Sequence, residues 1–377
     1  MPVIESVALR MVDLPPKVRR VDAIQTFERQ ETPVVTITDS EGAAGIGYAY
    51  TIGTGGPSVM ALLERTLAPL LIGRDADRID GLWHEMLRAT NATAVGAITS
   101  LSLAAVDTAL WDLRCRRAGL PLWKMAGGAR DRVPVYSTEG GWLNLSEAAL
   151  AEEAAAAREA GFRGAKMKVG LPTGGEDARR IRAVRDAVGP DFEVMVDANQ
   201  SFDLSEAIRR AAILEEHGIA WFEEPMAADR VAAHRTLARA TRVPIAVGES
   251  LYSLGQFNEY LAAGAASVVQ VDVARVGGVT PWLKVAALAE AHGVRVAPHF
   301  LMELHLSLVC AAPAARWLEY IPQLDAITRA PIRMEDGMAH APDAPGLGID
   351  WDTEAVERLS VHCAEIGRRD AAPRAAE

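Results

Sequence analysis

The sequence predicts an α/β protein, a (β/α)8-type barrel with an N-terminal α+β capping domain. Three observations predict it. From about Val133 onward, eight β-rich runs alternate with alanine-rich helical segments, the pattern of a parallel sheet closed into a barrel. Charged or titratable residues recur at the C-terminal ends of seven of these runs, at intervals of 20 to 29 residues, close to the about 30 residues that one βα repeat occupies. The first 125 residues instead place strands ahead of helices, as in an α+β unit. The expected division is 1–125 for the cap, 126–350 for the barrel and 351–377 for a segment that packs back toward the cap and frays at its end.

In the cap, ETPVVTITDSEGAAGIGYAYTIG reads as strand, turn at Ser40–Gly42 and strand, a hairpin. Helical segments follow, VMALLERTLAPLLIG and ITSLSLAAVDTALWDLRCRRAG. Between them and the hairpin, TIGTGGPS matches no phosphate-binding fingerprint and reads as a mobile flap. The barrel strands are VPVYST, GAKMKVG, FEVMVDAN, IAWFEEP, VPIAVGES, ASVVQVDV, VRVAPHF and ARWLEY. Ser146 is placed to cap the helix that Gly161 stops, and Asp203 with Glu206 makes a capping-box-like start to the helix that Gly218 ends.

In GAKMKVG, residues two apart share a face, so Lys166 and Lys168 point one way while Ala165, Met167 and Val169 point the other. Asp197, Glu223 and Glu249 end the next three strands. Three carboxylates around one point require a cation, and all-oxygen ligation suits Mg²⁺, with Mn²⁺ as the alternative. Glu224 follows a ligand and faces away from it, as a supporting group. Lys168 precedes the metal ligands and His299 follows them, so a base stands on either side. Lys166 is the weaker base, and its charge is expected to lower the pKa of Lys168. Asp272, on the sixth strand, is placed to orient His299. Glu319, on the eighth, is expected to stay protonated and donate to a developing oxyanion.

These groups describe abstraction of the proton α to a carboxylate held on Mg²⁺. Reprotonation on the opposite face gives racemisation, and expulsion of a β-hydroxyl with His299 as acid gives dehydration. Thr138 and Glu139 end the first strand and are candidates to line the site. Tyr50, Trp83 and His84 carry no argument either way.

Composition narrows the class. The 377 residues are 50% hydrophobic and 24% charged, with a net charge of −11. A field of that sign disfavours nucleic acid and anionic membrane, and makes any anionic ligand, such as the small-molecule carboxylate expected from the site residues, dependent on a local cation. Cys115, Cys310 and Cys363 are odd in number and far apart, which suits free thiols in the cytoplasm. MPVIESVALR lacks the features of a secretory signal.

The run of motifs GAKMKVG, VDANQS, WFEEP, GES, VDVARVGGVTPWLK, APHFLMELHL and WLEY resembles the enolase superfamily in its mandelate racemase subgroup, along nearly the whole chain. Use of a Lys or His base with Mg²⁺ is an attribute of that superfamily. The resemblance implies Lys168, Asp197, Glu223, Glu249, Asp272, His299 and Glu319 in the roles above, and Asn199 touching substrate or a metal-bound water. It is strongest to acid-sugar dehydratases of the galactarate and talarate type. Muconate-cycloisomerase-like relatives carry lysine where this chain has Asp272. The resemblance also implies that the cap selects the substrate, so Lys17, Arg19 and Arg20 are candidates for a distal carboxylate or hydroxyls, and that the protein forms a symmetric homo-oligomer. A racemase, an epimerase and a lactone cycloisomerase share the first chemical step, and an inert ligand-binding barrel is the alternative of another class.

Overall fold

The computed structural model describes residues 2–367. Its cap is built on a four-stranded antiparallel sheet in the order Ser360–Gly367, Ile4–Asp13, Glu31–Asp39, Ala44–Tyr48. The hairpin turns at Ser40–Gly42, where Gly42 takes φ +85°, and pairs Val34 with Tyr48. Helix Ala97–Ala118 lies directly on the strand Ala44–Tyr48. Gly45 and Gly47 permit this approach, because a Cβ at either would collide with the backbone around Ala109. The glycine-rich stretch expected as a mobile flap is tied down instead. Glu31 accepts hydrogen bonds from Thr51 Oγ1 at 2.6 Å and from the Gly56 amide at 2.9 Å.

Eight parallel strands form the barrel: Arg132–Ser137, Gly164–Lys168, Glu193–Asp197, Phe222–Glu223, Ile245–Val247, Val268–Val269, Arg295–Val296 and Leu318–Tyr320. Each of the first six pairs with the next in parallel. The eighth pairs with the first, and a parallel bridge from Val296 to Ala315 joins the seventh to the eighth, so the ring closes. The fourth, sixth and seventh strands are only two residues long, shorter than their apolar runs suggest. Backbone bonds such as Glu224 N to Ala246 O continue the pairing beyond them.

Tyr136, Met195, Trp221, Ala246, Val268 and Ala297 lie on or directly beside six different strands and form a separate buried cluster, the packed interior of the barrel. Two residues further along a strand, the side chain points the same way. Thr138, Asp197, Glu223 and His299 therefore continue this inward file at the C-terminal mouth.

Helix starts follow the sequence unevenly. Ser146 Oγ accepts from the Ala149 amide at 3.2 Å. Asp203 accepts from the Glu206 amide at 2.8 Å, but Glu206 is drawn to Arg209 and Arg210 instead of closing the box. The complete capping box lies at Thr173 and Glu176. Helix Val279–Ala291 has Gly278 at its N-cap, and the missing acceptor comes from the cap. Asp107, on helix Ala97–Ala118, takes the Thr280 amide at 2.9 Å and the Thr280 hydroxyl at 2.6 Å. Among the described residues, no helix is long and apolar enough to cross a membrane.

Candidate active site

The mouth of the barrel gathers Lys166, Lys168, Asp197, Glu223, Glu249, Asp272, His299 and Glu319, all buried. Five non-glycine residues just past the strand ends, Asn199, Gln200, Glu224, Phe300 and Leu301, hold positive φ between 35° and 65°. Strained backbone of this kind persists where surrounding contacts fix the geometry of a site.

Asp197, Glu223 and Glu249 each offer a carboxylate oxygen within 4.8 Å of the others. Gly248 makes the last of these placements possible, since a Cβ there would stand 2.5 Å from the Gln270 carbonyl carbon. Among the described residues, six buried carboxylates (these three with Glu224, Asp272 and Glu319) face three permanent cations, Lys166, Lys168 and Arg275. Burial and then the charge of Asp197 push Glu223 up to about 7. Burial and then Glu249 push Glu224 well above the usual carboxylate range. Such a cluster is deficient in positive charge and rich in hard oxygen donors, and Glu249 Oε2 has no hydrogen-bond partner. These residues fit Mg²⁺. Trp221 Nε1 donates to Glu223 Oε2 at 3.2 Å, and Gln200 Nε2 donates to Glu224 at 3.2 Å.

The two lysines differ in their partners. Lys166 Nζ lies 2.8 Å from both Glu223 Oε1 and Glu319 Oε1, whereas Lys168 Nζ meets Asp197 Oδ2 at 2.5 Å. Burial is the largest influence on Lys168 and works against its charge, yet Asp197 together with Glu249 and Glu223 outweighs it and raises the pKa. The expected lowering by Lys166 is present but smaller. Glu319 also departs from expectation. It accepts from Thr138 Oγ1 at 2.6 Å, from the Phe300 amide at 2.7 Å and from Lys166. Burial opposes its ionisation, but Lys166 and His299 hold it far below the usual range. Glu319 is an ionised acceptor and not a protonated donor.

His299 Nδ1 lies 2.9 Å from Asp272 Oδ2. Burial raises the pKa of Asp272, but the hydrogen bond and charge of His299 lower it to about 2. An ionised carboxylate only accepts, so Nδ1 carries the proton and Nε2 is left for chemistry. Nε2 stands 3.2 Å from Glu249 Oε2, out of line for a hydrogen bond. Tyr50 was silent in the sequence, yet its hydroxyl reaches the same Asp272 oxygen at 2.7 Å. Arg275 Nε donates to that hydroxyl at 3.0 Å. Behind them, burial lowers His305 to about 4, and this imidazole bridges Phe300 O at 2.8 Å and the Val273 amide at 3.1 Å.

Asn199 is buried, with its backbone N–H donating to Asp197 Oδ1 at 2.9 Å and its own side-chain Oδ1 without a partner. Thr138 is committed to Glu319. Arg20 is not available for a distal group: it is buried, donating to Glu139 at 2.8 and 3.2 Å and to Pro322 O at 2.9 Å. Lys17 pairs with Asp325 at 2.7 Å. Arg19 is exposed and pairs with no described residue. Asp22, which the sequence did not single out, places a buried, unpartnered Oδ2 within the field of Lys168.

Residues 7–127 match the mandelate racemase/muconate lactonizing enzyme N-terminal domain, and residues 149–356 match the enolase C-terminal domain-like family. The chain is 37% identical over 336 residues to L-talarate/galactarate dehydratase of Salmonella typhimurium, covering 89% of this chain and 84% of that protein. It is 38% identical over 333 residues to 3,6-anhydro-alpha-L-galactonate cycloisomerase of Streptomyces coelicolor, covering 88% and 92%. The crystal structure of the Salmonella dehydratase with Mg and L-lyxarohydroxamate superposes with a TM-score of 0.93 at 35% identity, over 97% of this chain and 95% of that one.

Proposed function

The chain belongs to the mandelate racemase/muconate lactonizing enzyme family, and from that premise we propose that it is an Mg²⁺-dependent dehydratase of an aldonic or aldaric acid. The observation that carries this reading is the three-carboxylate cluster flanked by two different bases, Lys168 against Asp197 and His299 against Glu249. When bound by Asp197, Glu223 and Glu249, Mg²⁺ supplies Lewis-acid stabilisation of negative charge developing on a substrate carboxylate. Lys166, fixed between Glu223 and Glu319, adds a permanent cation beside that charge.

Lys168 or His299 removes the α-proton, leaving an enediolate. His299, protonated at Nε2 and steadied through Nδ1 by Asp272, then gives a proton to the β-hydroxyl, which leaves as water. The resulting enol tautomerises to a 2-keto-3-deoxy acid. Asn199 Oδ1 is free to accept from a substrate hydroxyl, and Thr138 orients Glu319.

Proton NMR in D₂O with Mg²⁺ over a panel of aldonates, aldarates and sugar-acid lactones tests the reading. Loss of the α-proton with new 3-deoxy methylene signals supports dehydration. Exchange at the α-carbon without loss of water replaces it with racemisation or epimerisation. The 38% likeness to a cycloisomerase favours lactone or anhydro-sugar isomerisation as the second reading.

The division into a cap at 1–125, a barrel at 126–350 and a C-terminal segment at 351–377 is supported by the family matches and by the edge strand Ser360–Gly367; residues 368–377 lie outside the described residues. The acidic charge and free thiols support a cytoplasmic enzyme without nucleic-acid or membrane partners. A symmetric homo-oligomer is the assembly that family membership favours.

A further inference from the structure

We propose that Tyr50, carried by the cap, is a positioning residue for the proton-transfer chemistry of His299, an inference that rests on the proposed dehydratase reading. The polarity of the hydrogen-bond chain is set by chemistry. A guanidinium has no acceptor, so Arg275 Nε must donate to the Tyr50 oxygen at 3.0 Å. The phenol has one proton, and it is left for Asp272 Oδ2 at 2.7 Å. The other oxygen of Asp272 is held by the amides of Ala274 at 2.8 Å and Arg275 at 3.0 Å. Among the described residues, Oδ2 is therefore shared by Tyr50 and His299.

A second path runs through ring packing. The Tyr50 ring lies 4.6 Å from that of Phe300, which stacks on His299 at 5.2 Å and 13° between planes. Tyr50 thus restrains the imidazole through its acceptor and, through Phe300, through its face. Arg275 cannot be read so cleanly, because it also contacts Glu249. Tyr50 touches none of the three proposed metal ligands.

Tyr50→Phe removes one oxygen and keeps the ring contact, so folding is retained and the test is specific. Loss of an outer partner of a metal-ligating histidine costs about 10- to 100-fold, and the same size of effect is expected for a partner behind His299. The expected result is a fall in kcat of that size on the sugar acid identified for the wild type, with KM within about twofold. A readout without turnover accompanies it: the Nδ1–H resonance of His299, assigned by its loss in His299→Asn, moves or is lost to solvent exchange in Tyr50→Phe. A wild type active on the panel beside a Tyr50→Phe variant of equal kcat overturns the inference, as does an unmoved His299 resonance. A wild type silent on every sugar acid overturns the dehydratase reading, and the resonance then still decides whether Tyr50 fixes His299.

Discussion

Lys166 Nζ stands 2.8 Å from Glu319 Oε1, the second barrel strand reaching the eighth at the mouth. All three hydrogen bonds to Glu319 have it as acceptor. Glu319→Gln therefore turns an amide N–H toward a donor in any orientation, leaving a buried group unsatisfied. Steady-state kinetics should show kcat lowered by about 100-fold. Had Glu319 been a neutral donor, the same substitution would be mild, and activity near wild type would refute the ionised assignment.

Metal dependence should be visible without substrate. Thermal melting with Mg²⁺ at about 100 times its Kd should gain about 2.7 kcal/mol of stability. Glu249→Gln should abolish that gain. Metal-free, the variant should melt no lower than metal-free wild type, because one of six crowded carboxylates is gone.

The two bases should separate by isotope exchange. His299→Asn should lower dehydration by about 1,000-fold or more, while Lys168 still exchanges the α-proton of the epimer that faces it. Lys168→Met should reverse the pattern. If each variant loses exchange equally for both epimers, the two-sided arrangement is wrong.

Asp107 predicts a pH signature away from the site. Burial first, against hydrogen bonds from Thr280, raises its pKa from 3.8 to about 7. A raised folded-state pKa means that stability is fully present below 3.8 and is lost as pH climbs through 7. The span corresponds to roughly 4 kcal/mol at most. Melting temperatures from pH 4 to 8 should fall relative to Asp107→Asn, whose side chain does not titrate. Parallel curves would show that Asp107 is not protonated in the folded state at neutral pH.

Arginines 19 and 20 should behave oppositely. Arg20→Ala strands Glu139 and should destabilise by about 2–3 kcal/mol in urea unfolding. Arg19→Ala should leave stability unchanged within about 0.5 kcal/mol. A rise in KM with Arg19→Ala alone would restore the substrate role expected from sequence.

The convergence of Asp197, Glu223 and Glu249 between Lys168 and His299 was legible because strand alternation and the βα repeat translate chain position into direction. Asp197 follows Met195, and Glu223 follows Trp221, by one period of the inward file. Tyr50 escaped because it lies 222 residues from Asp272 and in another domain, where no local period links them. The ionisation of Glu319 escaped for a related reason. Burial alone argues for protonation, and the folded positions of Lys166 and His299 reverse it. Arg20 reads from sequence as a candidate for a distal substrate group, because its partner Glu139 lies 119 residues away along the chain. In the TIGTGGPS stretch, glycine content predicted mobility, while Glu31, 20 and 25 residues upstream, supplies the acceptor that anchors Thr51 and Gly56.

The barrel helix Val279–Ala291 borrows its first acceptor from Asp107, and Gly278 leaves no room for a side chain of its own there. A chimaera that grafts a different cap onto this barrel to alter substrate choice would thus inherit an unfinished helix unless the donor brings a carboxylate or amide at that point. Modular exchange here is limited to donors that carry the matching residue, and Asp107 marks the first position to check when choosing one.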